Sequence, residues 1–276
     1  MSAPALPLHN PPHAPLEGQI AGHAGQIVAL PNGLIAKAGP QKETDFYEAL
    51  YASNRPDIVQ FRAVLPRFAG AGHITHPVSG EETPAIHIEN IVEPFVNASA
   101  ADIKVGTRLY GDEANDEKRA RMEEQARITT SLETGLRICG MKVYDPVHGT
   151  YLVHDKAFGR ALTPATIHTG VRALFSVPSS GKLISASALR AVHAKLVTIS
   201  VALQQACVRL YGGSVLIVYQ DEDSVNKTAM ADVRLIDFAH SHVAAESEGP
   251  DEGVLFGVRN LIRMIEDLIA EAEREQ

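Results

Sequence analysis

The chain has 276 residues and a formal net charge of −8, with 45% hydrophobic residues, 5% aromatic residues and no Trp. That length holds one large domain or two lobes around a substantial core, and the composition fits an ordinary α/β or α+β protein. The acidic balance argues against direct nucleic-acid binding while leaving room for a local basic pocket that takes a small polyanion. No apolar run reaches the roughly 20 residues a membrane span needs, so no transmembrane helix and no stable membrane insertion are expected.

Residues 1–16, MSAPALPLHNPPHAPL, are rich in Pro and Ala and lack a basic leader segment, which predicts a flexible tail in place of a signal peptide. QIVALPNGLIAKAG reads as a hairpin turning at Pro31-Asn32-Gly33. Helical spacing of Phe46, Ala49 and Leu50 predicts a helix over 42–53. DIVQFRAVLP reads as a strand, 70–82 as a Gly/His/Pro loop, and PAIHIENIVEPF as a strand ending in a connector. Residues 17–92 therefore form a small antiparallel β-rich lobe.

The remainder, 93–276, is more helical. ANDEKRARMEEQARI predicts a helix over about 114–130 capped by Asn115 or Asp116. LRICGMKVYD alternates as a strand, and Leu189, Val192, Leu196, Ile199, Leu203 and Cys207 form a core-facing stripe on a helix over 187–210. SVLIVYQ and ADVRLIDFAH read as strands, and VLFGVRNLIRMIEDLIAEAE as a closing amphipathic helix. Cys139 and Cys207, each in an apolar stretch, are too few for a disulfide framework or a zinc site and predict a reducing intracellular setting. His73 and His76 lack an acidic or Cys neighbour and make no metal site.

Two carboxylates end apolar strands, Asp102 in ADIKVG and Asp237 in RLIDFAH. Kinases place an Asp after such a Leu-Ile-Asp-Phe strand to hold Mg²⁺ against ATP phosphates, because the ion needs hard anionic oxygens on a rigid element. Lys37 ends a strand and Glu43 opens a helix, as in the kinase pair that leaves an ammonium facing phosphates. The plain alternatives are a solvated cap and a surface ion pair of little energy. Lys118, Arg121 and Gln125 share one helix face, which suits a ligand with several phosphates. The competing reading is a solvated helix neutralised by Glu117, Glu123 and Glu124.

The stretch ASAADIKVG resembles the signature of the inositol polyphosphate kinases, Pro-x-x-x-Asp-x-Lys-x-Gly, with Asp102, Lys104 and Gly106 matching and Ala98 in place of the Pro. The resemblance continues through GTRLYGDEANDEKRARM, LRICGMKVYD, FGRALT, GSVLIVY, RLIDFAHS and DEGVLFGVRNLI, covering nearly everything from about Gly18 onward. It implies an α+β, two-lobed protein-kinase/ATP-grasp-like fold with a hinge near 89–92, and an ATP- and Mg²⁺-dependent enzyme.

Lys37, paired with Glu43, would meet the ATP phosphates, and the backbone of Glu89 and Ile91 would meet adenine. Asp102 would accept from ribose hydroxyls, Lys104 would reach substrate and transferring phosphate, and Asp237 with Ser214 would hold the metal. Lys118, Arg121, Gln125, Lys142, Lys156 and His240 would bind the inositol phosphate. No His-Arg-Asp loop of the protein-kinase type is visible, so no general base is assigned.

Only about 30 residues separate Gly106 from Leu136, shorter than the inserted region of the trisphosphate 3-kinases. EKRARM, ITTS, LRICGMKV and LIDFAHS resemble the multikinases, especially the fungal type, which act on the 3- and 6-positions of inositol tris- and tetrakisphosphates towards the pentakisphosphate. The pattern GTRLYGDEANDEK is shared with the hexakisphosphate kinases, which make pyrophosphates and are the rival reading. The multikinase resemblance also implies a monomer in nucleus and cytoplasm, a phosphoinositide headgroup as a further substrate, and transcription-factor partners. A non-catalytic, inositol-phosphate-binding nuclear scaffold is the alternative of another class.

Overall fold

The computed structural model describes residues 26–75, 82–222 and 228–275, so the expected tail over 1–16 and His76 lie outside the described residues. Strands β1 (Ile27–Leu30) and β2 (Leu34–Ala38) form the expected hairpin. Asn32 and Gly33 hold φ of 62° and 71°, the left-handed pair that matches a tight turn to strand twist. Helix α1 (Gln41–Ala52) follows and buries Phe46, Tyr47 and Leu50.

Two segments depart from the expected elements. DIVQFRAVLP is not a strand: it holds helix α2 (Pro56–Phe61) and a 3-10 turn at Arg62–Val64. Pro56 occupies the first helical turn, where its missing N–H costs nothing. The segment read as a loop instead supplies most of strand β3 (Phe68–Thr75), where burial alternates residue by residue, while the expected strand in PAIHIENIVEPF is β4 (Glu82–Glu89). The resulting antiparallel sheet has the order β1-β2-β4-β3.

The larger part begins with β5 (Ser99–Val105), α3 (Asp116–Ile128), the short α4 (Ser131–Thr134), β6 (Leu136–Asp145) and β7 (Thr150–His154). Helices α5 (Lys156–Ala161), α6 (Ile167–Leu174) and α7 (Ala186–Gln205) follow. Strands β8 (Val208–Leu210), β9 (Ser214–Gln220), β10 (Met230–Ile236) and β11 (Ser241–Val243) then lead into α8 (Glu252–Glu275). The expected helix over 187–210 therefore stops at Gln205, and its last residues form β8, which pairs with β11.

Five strands make the second antiparallel sheet, in the order β10-β9-β5-β6-β7. One face carries Ala101, Ile103, Leu136, Val215 and Ile217 into a core shared with α7 and α8. α7 is long and apolar enough to cross a membrane by composition, contrary to the expectation that no such segment exists. Its Leu189, Val192, Leu196, Ile199 and Leu203 are all buried in that core. The opposite face carries Ala100, Asp102 and Lys104 of β5 beside Val218, Leu216 and Ser214 of β9. Asp102 thus sits mid-strand, not at a strand end.

Candidate active site

Strand β2 delivers Lys37 to the space between the two sheets. Its ammonium donates to both Glu43 oxygens at 2.8 and 3.0 Å and to Asp237 Oδ1 at 2.6 Å. Glu43, 3% exposed, also accepts from the Phe238 backbone N–H at 3.0 Å. One carboxylate on α1 therefore fixes both the lysine and the turn that follows β10. Phe238 is fully buried, with its ring centre 5.1 Å from that of Phe46 and 5.5 Å from that of Tyr47.

Asp237 adopts φ of 67°, a conformation that costs a non-Gly residue energy and persists where the surroundings enforce it. Here the anchors on both sides are the Ile236–Ser214 strand pair and the Phe238–Glu43 hydrogen bond.

Charge decides the ionisation of these groups. Burial works against the Lys37 ammonium, yet Glu43 and Asp237 outweigh it and hold its pKa above the ordinary lysine value. Burial likewise pushes the Asp237 carboxyl up, but Lys37, Lys104 and Lys156 together bring it below the usual carboxylate range. For Asp102 the balance is reversed: burial and the neighbouring Asp237 charge raise its pKa against the pull of Lys104 and Lys37. Its Oδ1 and the Oγ of Ser214 are buried without hydrogen-bond partners among the described residues. Lys104 Nζ donates to the Gly212 carbonyl.

A second cluster closes one side. His240 Nδ1 lies 2.9 Å from Glu113 Oε1, and its Nε2 lies 3.3 Å from Lys118 Nζ on α3. Lys42 of α1 reaches the same Glu113 oxygen at 3.0 Å. Glu113 is held down to about 2, first by its own backbone N–H and then by Lys42 and His240. α3 is oriented by its N-cap, where Asn115 accepts from the Lys118 N–H at 2.8 Å.

These elements enclose a cleft of about 460 Å³. Of the residues predicted from sequence, Lys37, Glu43, Asp102, Lys104, Lys156, Asp237 and His240 line it, and Lys118 joins through His240. Ser214 lies beneath it, paired in register with Lys104. Arg121, Gln125, Lys142, Glu89 and Ile91 do not line it. Lys142 instead stands 5.2 Å from the Tyr151 ring centre, where burial lowers its pKa. Glu89 exchanges hydrogen bonds with the backbone of Arg67, and Ile91 packs with Ala98, Ala100 and Val218 in an apolar cluster on the Asp102 face. Sequence reasoning missed Arg137, Cys139, Arg160 and Tyr211, all of which line the cleft, and Glu113 beside it. For Arg137 a signal existed: the alternation of LRICG leaves it on the face opposite Leu136 and Ile138.

The inositol polyphosphate kinase family profile matches residues 85–266. The chain belongs to the inositol polyphosphate kinase family. The matched span takes in Asp102, Lys104 and Asp237, while Lys37 and Glu43 lie ahead of it.

Among curated family members, the inositol polyphosphate multikinase of Schizosaccharomyces pombe is 30% identical over 255 residues, covering 88% of this chain and 93% of that protein. Mouse inositol hexakisphosphate kinase 3 is 34% identical over 200 residues, covering 66% of this chain and 50% of the relative. The chain thus spans about half the length of the hexakisphosphate kinases it matches. Among solved structures, the inositol phosphate multikinase Ipk2 of S. cerevisiae, in complex with ADP and Mn²⁺, superposes with a TM-score of 0.69 at 23% identity, over 86% of this chain and 99% of that one. That likeness establishes the α+β family fold, with antiparallel sheets in both parts and most helices in the second.

Proposed function

We propose that this family member is an ATP-dependent inositol polyphosphate multikinase that phosphorylates inositol tris- and tetrakisphosphates at the 3- and 6-positions towards the pentakisphosphate. The observation that carries the reading is the convergence of Lys37, Lys104 and an ionised Asp237 on one cleft, with α3 and His240 at its side.

Phosphoryl transfer passes through a loose transition state, so the protein's task is alignment and neutralisation. Lys37, steadied by Glu43, meets the nucleotide phosphates, and Lys104 meets the phosphoryl group in transit. Asp102, with one buried oxygen unpartnered, accepts from ribose hydroxyls. The backbone of Glu89 and Ile91 borders adenine beside the apolar cluster of Ala98, Ala100 and Val218.

The donor set fits Mg²⁺, which favours one or two carboxylates completed by substrate phosphates. Asp237 would hold the ion, with Ser214 Oγ next to it, and the ion would supply charge neutralisation at the phosphates. Lys118 and His240 bind acceptor phosphates directly. Lys156, in the cleft wall, joins them, and Arg121, Gln125 and Lys142 act from the periphery of the same acceptor site.

The near end-to-end match to the S. pombe multikinase supports this choice. The match to hexakisphosphate kinases supports the rival, a pyrophosphate-forming enzyme. Incubation with ATP, Mg²⁺ and either inositol trisphosphate or hexakisphosphate, followed by chromatography, separates them. Tetrakis- and pentakisphosphates are expected from the first substrate; a product more charged than hexakisphosphate from the second selects the rival. No ATP consumption with either, together with inositol phosphate binding, selects the scaffold reading. Action on a phosphoinositide headgroup, a monomeric state, residence in nucleus and cytoplasm, and transcription-factor partners belong to the multikinase proposal. Lipid kinase assay, sedimentation, a fluorescent fusion and affinity capture test them respectively.

A further inference from the structure

Strand register places four side chains in a line beneath the cleft. Asp237 follows Ile236, which pairs with Ser214; Ser214 pairs with Lys104; Lys104 pairs with Arg137. Adjacent strands lie about 4.8 Å apart, so the row spans roughly 14 Å across β10, β9, β5 and β6. The nucleotide end of that row is Asp237, held by Lys37. Arg137 is the opposite end, on the far side of Lys104.

Arg137 also stands out chemically. Its Nη1 is buried, and among the described residues it has no hydrogen-bond partner and no carboxylate within ion-pair distance. A buried guanidinium N–H without an acceptor is costly, and the guanidinium offers five donors in a fork that matches a phosphate. Arg160 of α5 lines the same cleft and is likewise without a carboxylate partner among the described residues. Helix α5 is held tight against β6, since a Cβ added at Gly159 would lie 1.8 Å from the Ile138 carbonyl oxygen. Arg137 and Arg160 are thus carried on two elements packed in direct contact, beyond Lys104 from the nucleotide.

We infer that Arg137, supported by Arg160, is a specificity-determining phosphate site. It grips a phosphate of the acceptor that flanks the reacting hydroxyl on the side away from α3. The inference rests on the kinase reading and deepens it. An acceptor held at both Lys118 and Arg137 carries phosphates on both sides of the reacting hydroxyl, so the site favours densely phosphorylated rings.

The test compares wild type with Arg137→Met and Arg137→Lys, using inositol trisphosphate and an inositol tetrakisphosphate as acceptors and measuring KM for acceptor and for ATP separately. A charge-assisted, bidentate contact is worth enough for a tenfold or larger rise in acceptor KM. The expected pattern for Arg137→Met is that rise, larger for the tetrakisphosphate, with KM for ATP within twofold of wild type. Arg137→Lys should recover part of the loss. Thermal melting without ligand gives a readout independent of turnover: Arg137→Met should melt no lower than wild type, because it removes a buried N–H that has no acceptor among the described residues. A wild type inactive on every inositol phosphate defeats the kinase reading itself. An active wild type whose Arg137→Met variant raises KM for ATP and spares the acceptor, or leaves both unchanged, overturns the Arg137 assignment alone. A clear drop in unliganded melting temperature also counts against it, since it gives Arg137 a structural role.

Discussion

Replacing Glu43 by Ala removes the carboxylate that joins three parts of the site. It deletes two hydrogen bonds from Lys37 and one from the Phe238 N–H, at 2.8, 3.0 and 3.0 Å. Removing one partner of a buried pair costs about 3–5 kcal/mol when the other charge is left alone. Lys37 here keeps Asp237 at 2.6 Å, which discounts the loss, while the stranded Phe238 N–H adds to it by about 1–3 kcal/mol. A net loss of about 2–3 kcal/mol follows. At about 2–4 °C per kcal/mol for a domain of 150–250 residues, melting should fall by roughly 4–12 °C.

Activity should fall further than stability explains. With Glu43 gone, Lys37 turns wholly to Asp237 and neutralises the carboxylate needed by the divalent ion. A ten- to hundredfold loss in kcat/KM for ATP is expected, measured by coupled ADP release at a temperature where the variant remains folded. Glu43→Gln keeps the acceptor for Phe238 and should recover most of the melting temperature but little of the activity. Melting within 1 °C of wild type with unchanged turnover for Glu43→Ala would refute the reasoning.

The pKa of Asp102 is raised by folding, so its protonated form is favoured in the native state; the associated stability is present below its unfolded value near 3.8 and lost as pH rises through the folded value. Asp102→Asn should therefore melt higher than wild type at pH 7, with the difference closing in acid, while kinase activity falls; calorimetry across pH checks this. Asn115→Ala removes the α3 cap and should cost about 1 kcal/mol by denaturant titration, with a rise in acceptor KM and none in ATP KM. Gly159→Ala forces a Cβ against the Ile138 carbonyl and should destabilise by about 1–3 kcal/mol or more while weakening acceptor binding through displaced Lys156 and Arg160.

Much of this site was legible because its residues sit where local pattern is strong. Lys37 follows a hairpin with a left-handed turn, Asp237 closes an apolar strand, and α3 opens on a good cap. What sequence reasoning missed has physical causes. DIVQFRAVLP is a short apolar run, which periodicity cannot assign between helix and strand, and Pro56 was the overlooked helix start. FAGAGHIT forms β3 although Gly and Ala are poor strand formers, because pairing with β4 overrides propensity. Arg137 occupies a polar position of an alternating strand, a pattern that a solvated face and a cleft-lining face share, and here that face lines the cleft. Arg121 and Gln125 share the helical spacing of Lys118 but not its contact with His240, since a helix face is wider than the strip that meets the site. Ala98, where the family signature has Pro, is buried with Ile91 and Val218, so the position is filled by packing without the ring.

The central claim, that this cleft transfers phosphate from ATP to an inositol polyphosphate with Asp237 indispensable, is tested most directly by following radiolabel from γ-labelled ATP into inositol trisphosphate with Mg²⁺. Wild type should yield labelled tetrakis- and pentakisphosphate, and Asp237→Asn, confirmed folded by its melting curve, should fall by at least a thousandfold. Label transfer by Asp237→Asn at a rate near wild type would contradict the account.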